Sequence, residues 1–294
     1  MTSPSAPPPT SDQVTDYYSA LGPLLRMAWG DNLHFGYWEG PSDGSSPQEA
    51  TDRFTDVLVE RLGVGAGCRV LDAGCGIGSP ALRVAGSTGA EVVGITISRQ
   101  QVDQAVELAE RAGMSDRVRF ELKDAMDTGF AAESFDAVLA FESIVHMDRP
   151  TALREWKRVL KPGGRIVLTD TFPLGDSVRQ PGDTVGDVAS MASLEDYPGL
   201  LADAGLELEE LKDVTEHTKF TFTRVIDGIL RCRKDFERKH GITVEEVLEA
   251  MKPAHPQASQ AAGFGASPQV GCLIAVAHKP VSPGPGARRP GRGS

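Results

Sequence analysis

The segment Val70-Leu71-Asp72-Ala73-Gly74-Cys75-Gly76-Ile77-Gly78 constrains the fold more than any other part of this chain, because an apolar run ends there in glycines spaced two apart. Such a string reads as a buried strand that turns through a bare loop into a helix. Glycine at the bend lets the backbone lie against a ligand with no Cβ in the way, and the helix start that follows offers unpaired amide donors to a carboxylate. A dinucleotide-binding loop places its third glycine one position later, where this chain has Ser79, so the spacing argues against a nicotinamide dinucleotide.

Further strand-like runs fall at 91–97, 118–123, 135–141, 165–171, 206–214 and 271–278, in addition to 69–73. Helical patterns lie between them. Residues 47–62 carry apolar positions at helical spacing behind Ser46, residues 98–113 open on Ser98-x-x-Gln101 as a capping box, and residues 151–160 stop at Lys161-Pro162-Gly163-Gly164. Strand and helix in alternation predict an α/β fold, a doubly wound and mostly parallel seven-stranded sheet. The stretch at about 216–270 is longer than a connection requires and helical in pattern, and it predicts a helical cap over a substrate. The organisation expected is a disordered start (1–12), an N-terminal helix and lid (13–46), the main domain (47–280) and a disordered Pro/Gly/Arg tail (281–294).

A chain of 294 residues with 40% hydrophobic content can bury one substantial core. A net charge of −11 speaks against a nucleic acid partner, since phosphate neutralisation needs clustered Lys and Arg. Four dispersed cysteines show no Cys-x-x-Cys spacing, and no segment reads as a signal peptide or membrane span. The expectation is a cytoplasmic protein without a metal or a membrane partner that acts on a small molecule, with self-association left open.

In open sheets of this type ligands sit beyond the carboxyl ends of the strands, near the point where strand order reverses, so the residues just after each strand are the candidates. After the second strand, Thr96 stands where a ribose-binding acid is expected. Gln101, in the first turn of the next helix, can reach ribose hydroxyls or serve as a cap. After the third strand, Asp124-Ala125-Met126 offers a carboxylate, an amide and an apolar side chain to an adenine, against the alternative of a helix cap at Asp124.

These motifs together resemble the class I S-adenosylmethionine-dependent methyltransferases of the actinobacterial natural-product group. The residues that carry the resemblance are Asn32-Leu33-His34-Phe35-Gly36-Tyr37-Trp38, the glycine string, Gly94-Ile95-Thr96-Ile97-Ser98-Arg99-Gln100-Gln101, Asp124-Ala125-Met126, and 135–138 running on to His146-Met147. They span roughly 17–280 and are similar to the rebeccamycin sugar O-methyltransferase and to mitomycin-pathway methyltransferases. The resemblance implies a Rossmann-like methyltransferase fold and S-adenosyl-L-methionine as cofactor, which itself carries a carboxylate suited to the helix start. It implies cofactor contacts from Tyr18, His34, Phe35, Asp72, Gly74, Gly76, Ser98, Gln101, Asp124, Ala125 and Met126. The early aromatics, Tyr17, Tyr18, Trp29, His34, Phe35, Tyr37 and Trp38, would then close over it as a lid, the alternative being ordinary packing.

For transfer to a hydroxyl, a base is needed beside the aligned methyl, and His146 just past the fourth strand is the candidate catalytic residue. Asp170, at the end of the fifth strand, would orient its ring. Sugar-methylating relatives have two adjacent histidines where this chain has Val145-His146, which predicts a more apolar pocket wall and leaves nitrogen or carbon acceptors open. A methyltransferase-like cyclase that keeps the cofactor without transferring its methyl is a further alternative. Glu142, Ser143 and His217 are read as turn-forming or exposed residues in preference to cavity residues.

Overall fold

The structure is a computed structural model that describes residues 22–174, 192–250 and 270–281. A first helix, α1 (22–29 among the described residues), is followed by α2 (Pro47–Leu62), β1 (Arg69–Ala73), α3 (Ser79–Thr88), β2 (Glu91–Thr96), α4 (Arg99–Arg111), β3 (Val118–Leu122) and β4 (Phe135–Ala140). Then come α5 (Arg149–Val159), β5 (Leu160–Pro173), α6 (Tyr197–Asp203), β6 (Glu207–Asp213), α7 (Thr215–Thr218), α8 (Thr221–His240), α9 (Val244–Ala250) and β7 (Val270–His278). The seven strands form one sheet in the order β3-β2-β1-β4-β5-β7-β6, parallel except for β7, which runs antiparallel to both neighbours. The expected doubly wound, mostly parallel sheet is therefore found. Because β1 pairs with both β2 and β4, strand order reverses at the carboxyl end of β1, where the glycine string begins.

Side-chain alternation sorts each central strand between two apolar layers. Val70, Val92, Leu139 and Val167 face α2, α3 and α4, while Leu71, Val93, Val138 and Ile166 face α5 and α6. The edge strand β6 carries exposed acids, Glu207 and Glu209 among them, which discourage pairing with another chain. Helix α2 has the reciprocal cap that its sequence permits: Ser46 Oγ accepts from Glu49 N and the Glu49 carboxylate accepts from Ser46 N. The box expected at Ser98 is only half formed, for Ser98 Oγ accepts from Gln101 N while the Gln101 side chain turns elsewhere. Strand β5 begins five residues earlier than its apolar run, because Leu160 pairs with Phe135 before the Gly163-Gly164 bend.

An outer layer joins the N-terminal helix to α8 and α9. Leu24 of α1 packs with Phe236, Val244 and Val247 of α8 and α9, and Ala28 O lies where a side chain at Gly228 would project. Trp29 and Trp38 meet edge to face at 6.2 Å, with Ala50 beneath. Of the expected helical cap at about 216–270, residues 251–269 lie outside the described residues, as do Tyr17 and Tyr18 and, Val281 apart, the ends read as disordered.

Close packing around β2 sets the loop height. Gly94 of β2 pairs with Phe120 of β3, and a Cβ at Gly94 would stand 2.6 Å from that ring and 3.0 Å from Cys75 Cβ. Gly94→Ala is expected to lower stability by about 1–3 kcal/mol through overpacking. Phe120→Leu in the same chain should recover part of that loss in thermal denaturation.

Candidate active site

Three glycines of the bend do three different things. Gly74 has φ +86°, and a side chain there would overlap Ser143; Gly78 has φ +91°, and a Cβ there would lie 2.5 Å from the Phe120 ring. Gly76, at φ +53°, has open space where its Cβ would be and lines a cleft. The first and last glycines thus let the loop pack, and the middle one leaves room for a ligand. The bend is pinned by Gly74 N and Cys75 N, which both donate to Ile95 O at 2.9 Å, and by Ser143 Oγ, which donates to Ala73 O.

The cleft encloses about 1090 Å³ of empty space, counting the part that opens to solvent, and draws on the carboxyl ends of β1, β2, β3 and β4. His34, Gly74, Gly76, Ser98, Gln101, Asp124, Ala125, Met126 and His146 all line it, so most of the residues singled out from sequence converge. Thr96 Oγ1 donates to Gln101 Oε1 at 2.7 Å, which holds the glutamine with its amide nitrogen available as a donor. No helix starts at Asp124. Its Oδ1 accepts from Met126 N at 2.8 Å in a tight turn, and Ala125 O accepts from buried Trp156 Nε1 at 3.0 Å.

The segment from Asp31 to His34 crosses the cleft as a strap. Ser79 Oγ donates to Asp31 O at 2.7 Å, and Phe35 N donates to both oxygens of Glu142 at 2.9 and 3.1 Å. The His34 ring stacks on Phe141 with centroids 4.1 Å apart, and its Nδ1 lies 2.7 Å from Asn32 Oδ1. Desolvation drives the His34 imidazole down to about 4, so it is neutral at physiological pH. The aromatic lid is corrected in part. Phe35 turns its ring onto Phe222 at 5.4 Å, Tyr37 stacks on His217 at 4.0 Å, and Trp29 and Trp38 pair with each other, so of these described aromatics only His34 reaches the cleft. Aromatic bodies have more apolar area to bury against a helix layer than a cofactor edge offers.

Asp72 also departs from expectation. It is buried and does not line the cleft; one carboxylate oxygen, Oδ2, has no hydrogen-bond partner, and burial pushes the carboxyl up to about 7. Glu142 and Ser143, in contrast, do line the cleft. Glu142 sits at φ +50°, a strained conformation for a residue with a side chain, and burial raises its carboxyl to about 8 against the pull of the Phe35 N–H. Val145 is 6% exposed and absent from the wall, so the apolar wall expected there is not its doing.

Asp170 does not act on His146 as expected. It is fully buried, its Oδ2 accepts from Arg149 Nε at 2.7 Å and from the Tyr197 hydroxyl, and its Oδ1 accepts from Thr171 N. Arg149 and Tyr197 were not found from sequence. One signal was available for Arg149: a cation in the first turn of α5 opposes the helix dipole and implies a specific partner.

A seven-stranded sheet with β7 reversed, a bare bend at the switch point and nucleoside-sized donors around it define a class I methyltransferase. A family profile described as "Methyltransferase domain" matches residues 71–168. The chain is 43% identical over 223 residues to methyltransferase GfsG of Streptomyces halstedii, covering 74% of this chain and 80% of that protein. It is 37% identical over 284 residues to 27-O-demethylrifamycin SV methyltransferase of Amycolatopsis mediterranei, covering 92% and 98%. Among solved structures it resembles the [4+2]-cyclase SpnF, with TM-score 0.81 and 32% identity over 95% of this chain and 100% of that one. The chain belongs to the S-adenosylmethionine-dependent methyltransferases, and its bare Gly76 and aligned Gln101 fit that cofactor.

Gly76→Ala should keep the melting temperature close to that of the parent, because strain from one left-handed alanine is about 1–2 kcal/mol, while calorimetry shows S-adenosylmethionine affinity reduced at least about tenfold, or 1.4 kcal/mol. Gly74→Ala should lose stability as well, through Ser143. For Asp72 the folded-state carboxyl lies above its unfolded value of 3.8, so its contribution is full below that value and is lost as pH rises through about 7. Thermal melts of the cofactor-free protein should therefore show Asp72→Asn gaining on the parent between these limits, by about 4 kcal/mol at most. A constant difference across that range would contradict this.

Proposed function

We propose that the protein transfers a methyl group from S-adenosylmethionine to a hydroxyl oxygen of a small natural product, with His146 as general base. The observation that carries the reading is the place of His146: it lines the cleft on the turn after β4, in the same cavity as Glu142 and the bare Gly76 bend. When bound, the cofactor supplies a methyl on a sulfonium, already attached to an excellent leaving group. What is asked of this chain is to align the acceptor and to take its proton. Gly76 and the start of α3 would receive the carboxylate of the cofactor, Gln101 its ribose, and Asp124, Ala125 and Met126 its base. Relatives named for O-methylation, including the rifamycin enzyme and the O-methyltransferase resE of Aspergillus sclerotiorum, support an oxygen acceptor.

The likeness to a [4+2]-cyclase favours one second reading, in which the cleft holds the cofactor while a substrate cyclises without methyl transfer. Release of S-adenosylhomocysteine separates the two. With 27-O-demethylrifamycin SV as first probe and further natural-product alcohols after it, one equivalent of S-adenosylhomocysteine per product, with the new methyl on oxygen by NMR, is expected. Product without S-adenosylhomocysteine would establish the cyclase reading, and a methyl on nitrogen or carbon would move the acceptor class. His146→Ala should bind cofactor normally and lose about 10²–10⁴-fold in kcat; an unchanged kcat would remove His146 from the chemistry.

A further inference from the structure

We infer that Arg149 and Tyr197, joined through Asp170, are positioning residues that fix His146 at the cleft wall, an inference that rests on the reading of His146 as base. His146 closes a single 3-10 turn, Ile144–His146, a short element whose placement depends on how its two flanks are held. The segment containing it is tied to the sheet at both ends. At its start Ser143 Oγ donates to Ala73 O at the end of β1, and Ser143 is 6% exposed against Gly74. At its end, three residues past His146, Arg149 Nε donates to Asp170 Oδ2 at 2.7 Å at the end of β5, with Arg149 7% exposed and Asp170 fully buried. Between the anchors, Met147 N donates to Ile144 O at 3.0 Å, and Asp148 caps α5 by accepting from Thr151 N at 3.0 Å.

The cluster is costly for what it adds to stability. A buried ion pair seldom outperforms an apolar pair of similar volume, and a cation at the start of α5 works against the helix dipole. Tyr197, fully buried on α6, donates its hydroxyl to the oxygen that already accepts from Arg149, so a third element is locked to the same point. Such a network specifies one arrangement of its members better than it stabilises them. The arrangement specified here is the distance and direction from the end of β5 to the first residue of α5, and hence the placement of the turn before it. Asp170 therefore acts on His146 through the backbone of 147–149 and not through the imidazole.

The test uses the full chain saturated with S-adenosylmethionine and isotope-labelled at histidine. His146→Ala assigns the His146 ring signals among those of the six histidines. Tyr197→Phe removes one hydroxyl and keeps the ion pair; Arg149→Lys keeps the charge and loses the rigid fork. Both variants should shift the ring Hε1 and Hδ2 signals of His146 and leave those of His34 and His217 in place, with Arg149→Lys the larger. Loss of melting temperature with His146 signals unmoved in Tyr197→Phe would overturn the inference, as would equal shifts in all three rings. Should Arg149→Lys fail to fold, Tyr197→Phe decides alone. The measurement requires no acceptor, so it stands apart from the kcat of His146→Ala, which tests the base itself.

Discussion

Everything at this site depends on how closely the Gly74–Gly78 bend approaches its neighbours. Two amides of the bend share Ile95 O of β2, Ser143 reaches back to Ala73 O, and the Phe120 ring fills the space that side chains at Gly78 and Gly94 would occupy. The ends of β1, β2 and β4 are drawn together at the switch point by groups that cannot be larger. That closeness leaves Gly76 facing a cleft and not protein. A hydrogen-bonded bend with no Cβ at Gly76 is held in place and open at once, which suits recognition of a ligand through backbone amides.

Besides the exposed Asp31 and Asp124 of its lining, three acids stand at or beneath this cleft, and each is accommodated by different physics. Asp170 is matched to Arg149 and Tyr197. Glu142 accepts from the Phe35 amide just past the strap, and desolvation raises its proton affinity. Asp72 is left with an unpartnered oxygen in an apolar layer, and the same desolvation raises its proton affinity as well. His34, on the strap, is kept neutral by burial. Cationic side chains are scarce along the wall, Lys123 being tied to Thr128 O and stacked over Phe130.

Much of the site was legible because its chemistry is local. The glycine spacing, the Ser98 cap and the Asp124-Ala125-Met126 turn are each complete within a few residues, and each meets the cleft. Misreadings arose where two distant segments compete for one group. Asp170 reads as a partner for His146 by its position at the end of its strand, but the Arg149 guanidinium, drawn from the start of the preceding helix, and the Tyr197 hydroxyl occupy it. Phe35, Tyr37 and Trp38 read as a lid through the family resemblance, yet Phe222, His217 and Trp29 provide them with ring partners from 9 to nearly 190 residues away. Glu142 looked like a turn residue, and it is one; its left-handed backbone is also what aims its carboxylate at the strap.

By itself the sequence determined the sheet, the order of strand and helix, and the bare bend, because these follow from side-chain period and from the absence of Cβ atoms, both properties of single residues and their near neighbours. Only the tertiary structure decided which acid is paired, which is protonated and which aromatic reaches the cleft. Those outcomes depend on burial and on partners brought together by folding, and neither quantity is carried by any short stretch of chain.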